Sequence, residues 1–462
     1  MNKLMNRRNF LRLSAGTTVA ALAAACQPQV VEVEKVVKET VVVEKEVTAE
    51  AVAKEPVTIE FMSRHDFDSQ RLAVAEWNDA HPDIQINIDE VVGDTWDYYR
   101  IKMMQQLAAG NPPDTVFTDV WYFRMYAVDG VFMNLEPMID ADYDYRKDNL
   151  WPVVIENCAA PDINGDMYCL PYDYGTHCLA YNKGMFDAAG VDYPTDDMSW
   201  EDDIVPLARE FTLDMDDNKV DGANFDPTRM QQYGINPYNY LFWWYVDAWG
   251  GKCFTPDMSK SNINTPEAAA GIKFLYDIMN TYKIAPSPAY QQSQPISFQT
   301  GKIAMSIVAT WDIPGWNSTI DFEYDIVRPP RGSTRIGDGR ASGMAVLSTT
   351  EHVEESWQWV KDLSIGRGQH YKQLTGGAIH PQKDKARNEI FMNRTDPPYN
   401  MEAFIQEAEL GGGPPFFQGW EYYIDLAPAE LSKYYVDEAT LDETLQAIDE
   451  KTDYVIANGK MP

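Results

Sequence analysis

The 462-residue chain carries 71 acidic against 38 basic side chains, a formal charge of −33. An acidic excess of that size argues against a nucleic-acid partner and against docking a basic face on anionic lipid; it suits solubility outside the cell. Aromatic residues make up 12% of the chain, with 13 Trp, so flat apolar faces are available for a ligand as well as for a core.

In chain order, Arg7, Arg8 and Arg12 precede an apolar run, Leu13 to Ala25, that is too short to cross a bilayer as a helix. No acidic residue occurs before Glu32. Residues 1–25 therefore read as an export signal. Its end, Leu22-Ala23-Ala24-Ala25-Cys26, resembles a bacterial lipobox, which implies a lipid on Cys26 and a chain held at the cell membrane. Asn6 to Arg12 resembles a twin-arginine signal except at Asn6, so that route and general secretion both stay open. Residues 26–56 alternate Val with Glu and Lys and contain neither glycine nor an aromatic residue. They read as a solvated tether, with a short helical or coiled-coil spacer as the alternative. Loss of the signal would take the charge to −37.

The body from Val57 is too long for one small core, and two domains are expected. Val57 to Phe61 alternates as a strand does. A polar loop, Ser63 to Ser69, leads to a helix with Leu72 and Trp77 on its apolar side. "HPDIQINIDEVV" predicts a second strand. Trp96, Tyr99, Met103 and Leu107 then share one helical face, with Gly110 and Pro112 marking the stop. "DTVFTD" predicts a buried third strand. The order βαβαβ calls for a parallel sheet covered by helices, with ligand loops at the carboxyl ends of its strands, Ser63–Ser69 and Asp119–Phe123. Further on, Thr265 and Pro266 start a helix whose stripe is Ala268, Ile272, Leu275 and Met279. "EHVEESWQWVKDLS" and "LDETLQAIDEKTDYVIA" predict two more helices.

Besides Cys26 there are four cysteines, Cys158, Cys169, Cys178 and Cys253. Cys158 and Cys169 flank Asn164-Gly165, a hairpin turn signal, so a Cys158–Cys169 disulfide is expected, with the full connectivity open. Asp214, Asp216 and Asn218 imitate the first three positions of a calcium loop. Lys219 and Phe225 stand where its glycine and glutamate belong, so this stretch reads as a turn. "GDGRASG" misses dinucleotide spacing and reads as a loop before a strand. No cofactor or metal is expected.

Several stretches together resemble the extracellular solute-binding proteins of ABC importers, in the large sugar-binding family that includes maltose-binding protein. They are "FMSRHDFDSQRLAVAEWNDAHPDIQINI", "QQLAAGNPPDTVFTD", "GDMYCLPYDYGTHCLAYNKGMFDAAGV", "SFQTGKIAMSIVATWDIPGW" and "GGAIHPQKD", in that order across 57–462. The resemblance implies an α/β, two-lobed periplasmic-binding-protein-like fold, each lobe a mostly parallel sheet flanked by helices. Residues 57–175 and 345–383 would form one lobe, and 176–344 and 384–462 the other. Two or three crossing strands would join them, with the ligand cleft between. The implied role is binding without catalysis: capture of a carbohydrate, an oligosaccharide by expectation, by a monomer that delivers it to permease subunits.

Trp311 sits where that family commonly places a sugar-stacking ring, and Trp420 lies in a segment that often supplies another. Trp243, from the adjacent pair Trp243-Trp244, is the third candidate. Asp119, Trp121 and Tyr122 follow the third strand. Tyr172 and Asp173 sit at the first crossing, and Ser342 and Gly343 at the second, where backbone amides would face the ligand. Arg64, His65 and Asp68 on the first loop would reach sugar hydroxyls. With Arg64 as the one ready cation, a phosphorylated ligand is disfavoured. The rival readings are a secreted glycoside hydrolase and a receptor for a non-sugar solute. Carboxylate pairs are inevitable among 71 acidic residues and do not discriminate, and no His-Glu-x-x-His, Gly-x-Ser-x-Gly or P-loop occurs. Replacing Cys26→Ser should move the protein from the membrane fraction to the soluble fraction with its fold unchanged. Wild-type protein recovered soluble and unlipidated would refute the anchor.

Overall fold

The computed structural model describes residues 56–64, 67–93, 95–288, 290, 296–414, 417 and 419–462. The export signal, the tether up to Glu55, Cys26 and His65 lie outside the described residues. The described residues build two five-stranded sheets. The first contains β1 (Val57–Ser63), β2 (Ile84–Glu90), β3 (Thr115–Thr118), β4 (Leu170–Pro171) and, from far along the chain, β10 (Gly343–Val346). The second contains β5 (His177–Asn182), β6 (Leu213–Asp214), β7 (Met230–Asn236), β8 (Ile303–Ala309) and β9 (Tyr324–Val327). Their orders are β2-β1-β3-β10-β4 and β6-β7-β8-β5-β9. Helices flank both sheets, and an apolar cluster packs against each, with a third that joins Trp151, Val154 and Tyr174 to residues of the second sheet.

The βαβαβ opening is as its periodicity predicts. β1 runs parallel to β2, from Val57 opposite Ile84 to Ser63 opposite Glu90, and parallel to β3 on its other side. The helix Phe67–Ala80 joins the first pair and Trp96–Ala108 leads to the third strand. Thr95 caps that second helix by accepting from the Tyr98 N–H. Tyr99 and Met103 are its buried residues. In the first helix Trp77 is buried while Leu72 is exposed. Five positions on a 3.6-residue turn put these two on different faces, and the buried stripe is Gln70, Ala73, Val74 and Trp77. Thr265 caps Pro266–Tyr276 as expected.

In the first sheet the expectation of parallel pairing holds for β1, β2 and β3. β10 is antiparallel to both β3 and β4. In the second sheet β7 and β8 are parallel, and the other pairings are antiparallel. The reason is topological. A parallel neighbour needs a helical crossover, whereas β4, β5 and β10 adjoin the segments that pass between the lobes and enter their sheets from the opposite end. Three such segments lie side by side. Gly175 and Arg340 exchange backbone hydrogen bonds of 2.8 and 2.9 Å, and Tyr174 and Ile379 exchange bonds of 3.2 and 2.7 Å.

The expected disulfide is absent. Cys158 and Cys169 are buried free thiols that touch through a hydrogen bond, and Cys178 and Cys253 are buried and free as well. The hairpin pairs Ala159 with Met167, and the Tyr168 N–H donates to the Cys158 carbonyl at 3.0 Å. Cys158 therefore faces residue 168 and stands one position out of register with Cys169. At the calcium-like stretch, the Asp214 carboxylate accepts N–H bonds from Asp216, Asn218 and Asp226, which uses its oxygens for a turn.

One packing constraint can be tested directly. A Cβ on Gly234, in β7, would lie 2.0 Å from the Ala208 carbonyl oxygen, a backbone atom that has no rotamer to escape by. Gly234→Ala should lower the unfolding free energy by about 1–3 kcal/mol, read from urea denaturation. An unchanged midpoint would show that the helix carrying Ala208 shifts freely.

Candidate functional site

The site is built on the crossing segments. Arg340 follows Gly339, where a Cβ would come within 2.5 Å of the Tyr174 hydroxyl. The Arg340 side chain is 6% exposed. Its guanidinium lies 5.1 Å from the centre of the Trp121 ring, 5.3 Å from Trp243, 5.6 Å from Trp311 and 5.7 Å from Tyr240. Beneath it sits Asp338, which accepts from Arg340 at 2.7 Å and from the Trp243 indole N–H at 3.3 Å. His177 Nδ1 lies 3.1 Å from the same carboxylate. Burial alone would raise the Asp338 carboxyl, but Arg340 and His177 hold it well below the usual carboxylate range. Four rings are thus gathered around one cation.

Above this floor is a cavity of about 690 Å³ at the seam of the two lobes. Trp96, Phe117, Trp121 and Tyr122 line it from the side of the first sheet, Tyr240, Trp243 and Trp311 from the side of the second. β8, seven buried residues of which all but Ser306 are apolar, ends at Ala309 and delivers Trp311 within a single 3-10 turn. The Trp311 ring is 38% exposed and meets the His177 ring edge-on at 5.1 Å. Its back presses on Gly175, where a Cβ would come within 2.6 Å of the indole.

Two carboxylates and two more cations complete the lining. The Asp119 carboxylate accepts the Trp121 backbone N–H at 2.8 Å. Burial pushes the Asp119 carboxyl up to about 7; the Trp121 N–H and Arg340 work against that rise, and Asp173 adds to it. Asp173 accepts the Ser342 N–H at 2.7 Å and lies 3.8 Å from Lys372 Nζ. Lys372 is 7% exposed and stands over the Tyr172 ring at 5.1 Å. Arg64 stands over Trp96 at 4.5 Å.

Of the residues expected from the sequence, the cavity gathers Arg64, Asp119, Trp121, Tyr122 and Tyr172, together with Asp173, Trp243, Trp311 and Ser342. Three do not line it. Asp68 opens the first helix with its side chain 94% exposed and pairs with Arg71 one turn on. Gly343 is an interior residue of the β10 ladder, paired with Thr118 and Pro171, and packs on Cys169. Trp420 is a core residue, 2% exposed, and its ring stacks at 5.7 Å on Trp121. The Ser342 amide, expected to face the ligand, donates to Asp173, while the buried Ser342 hydroxyl has no hydrogen-bond partner among the described residues.

The residues from Asp68 to Leu363 match the family described as bacterial extracellular solute-binding protein. The chain belongs to that family. Two relatives fix how far the likeness runs. A solute-binding protein of Listeria monocytogenes, solved in complex with cycloalternan, superposes with a TM-score of 0.76 at 22% identity, over 87% of this chain and 99% of its own. The arabinooligosaccharide-binding protein of Halalkalibacterium halodurans is 23% identical over 344 residues, 70% of this chain and 71% of that protein. This solute-binding protein thus shares the two-lobed fold over nearly its whole body, and the family is one of extracytoplasmic binding proteins.

Sequence reasoning missed Arg340, Asp338, Tyr240, Lys372 and Trp96 as site residues. A charged pair, Asp-x-Arg, inside the glycine-rich "GDGRASG" was the one local signal, because a loop that carries opposite charges two residues apart offers them to each other.

The state of Asp119 yields a sign. Its carboxyl titrates near 7 in the folded protein and near the ordinary 3.8 when unfolded. Between those values the folded chain holds a proton that the unfolded chain has released, so stability falls as pH rises through that window, by at most about 1.4 kcal/mol per pH unit. The stability difference between wild type and Asp119→Asn, measured by denaturant titration from pH 4 to 7, should therefore move against the wild type as pH rises. A flat difference would place the Asp119 carboxyl in the normal range.

Proposed function

We propose that this solute-binding protein captures an oligosaccharide between its lobes and delivers it to the permease subunits of an ABC importer. It acts as a monomer held at the membrane through a lipid on Cys26. The lobes comprise residues 57–175 with 345–383, and 176–344 with 384–462. The observation that carries the reading is the cavity at the seam. About 690 Å³ falls within the range of ligand pockets, roughly 300–1,000 Å³. Aromatic rings stand on both of its walls, and carboxylate, hydroxyl and guanidinium groups lie between them. Such a lining fits a pyranose, whose C–H faces pack on rings while its hydroxyls exchange hydrogen bonds with the polar groups. The sugars named for the Listeria monocytogenes and Halalkalibacterium halodurans relatives are of the same chemical class.

Trp311 is the ring best placed to stack, since much of its surface is open while β8 fixes its position. If a sugar covers about 60–80 Å² of it, transfer gives roughly 1.5–2 kcal/mol. Trp311→Ala should then weaken binding ten- to thirtyfold, on the order of that energy, and Trp311→Phe should recover part of the loss. Isothermal calorimetry against a panel of oligosaccharides, with a turnover assay on the same samples, tests this. Unchanged affinity in Trp311→Ala would remove the ring from the site, and release of shortened sugar would make the protein a hydrolase.

A further inference from the structure

The cavity holds more positive charge than the sequence suggested. Arg64, Arg340 and Lys372 all line it, in a chain whose formal charge is −33. Facing them are Asp119 and Asp173, with Asp338 beneath Arg340. Lys372 forms an ion pair with Asp173 at 3.8 Å. Arg340 donates to Asp338 and to the Tyr240 hydroxyl, but its Nε is buried without a hydrogen-bond partner among the described residues. A buried N–H of a charged group left in that state is costly, and a charged oxygen is the acceptor that offsets it most. Around neutral pH Asp119 is part-protonated, because burial pushes its carboxyl up to about 7. Among the described lining residues the cations then slightly outnumber the ionised carboxylates, a balance that suits a ligand with a single negative charge. A phosphate dianion would bring a second charge against Asp173 and Asp119.

We propose that the solute carries a carboxylate, as in a uronic-acid-containing oligosaccharide, and that Arg340, with Arg64 and Lys372, receives it. The proposal rests on the carbohydrate reading above: the rings take the pyranose face and the cations take its acid group. It makes Arg340 a specificity-determining residue that selects acidic over neutral sugars.

The test is calorimetry on the full chain with matched pairs of oligosaccharides, a uronate series and its neutral counterpart of equal length and linkage. The uronate should bind at least about tenfold more tightly, and the gap should narrow as salt is raised. Arg64→Gln, near the surface and clear of the buried Arg340–Asp338 pair, should cut uronate affinity about tenfold more than neutral affinity. Arg340→Lys keeps the charge but loses the fork, and should narrow the gap further. Equal or tighter binding of the neutral partner, with no salt dependence, overturns the acidic assignment and leaves the carbohydrate reading standing. Binding of neither series overturns both.

Discussion

Burying a guanidinium in a protein interior is expensive, and this fold commits to it at its centre. The desolvation of Arg340 and Asp338 is offset only because the partners are close and additional groups share the charge. Asp338 accepts from one Arg340 guanidinium nitrogen and from the Trp243 indole and has the His177 ring beside it, while Arg340 spreads its charge over the faces of four aromatic rings. The four rings come from three parts of the chain: the loop after β3, the segment before and within the helix Phe242–Ala248, which supplies two, and the turn after β8. Removing the cation would strand a buried carboxylate and leave the rings without a common centre.

The aromatic assembly also joins the two lobes. Trp121 extends from the first sheet, yet it stacks on Trp420 at 5.7 Å and meets Trp243 edge-on at 5.7 Å, both within the core cluster of the second. The lobes therefore share packed apolar surface beside the cavity. Ring stacking of this kind is worth about 0.5–1.5 kcal/mol per pair beyond its buried area.

What the sequence made legible was local. The βαβαβ opening, the Thr95 and Thr265 caps and the strand leading to Trp311 each announce themselves within a dozen residues, because period and cap chemistry act over that range. Mostly parallel pairing was over-extended, since the direction of β10 depends on where a distant segment re-enters the sheet. Arg340 was hidden for a different reason. Its loop looks like a spacer until Tyr174, His177, Trp121 and Trp311 are brought around it, and those contacts span more than 200 positions. Trp420 and Trp311 are alike as letters in aromatic segments; only burial separates a ring that supports another ring from a ring left open to solvent. The acidic composition also misled, because a whole-chain charge says nothing about a lining that draws three cations into one cavity.

The three crossing segments have a mechanical consequence. Strands 174–175, 340 and 379 are laced to one another by backbone hydrogen bonds, so they can flex together like a strip of sheet but cannot slide or twist independently without breaking those bonds. Such a joint leaves essentially one soft mode, bending about a line through the strip. Asp173, Arg340 and Ser342 belong to or adjoin that strip, so bending would change their mutual spacing least, whereas Trp96 and Trp311, on opposite sides of the cavity, would be carried further. An arriving solute would therefore meet a nearly unchanging set of polar groups first and have the aromatic walls brought to it afterwards, so chemical identity is examined before shape.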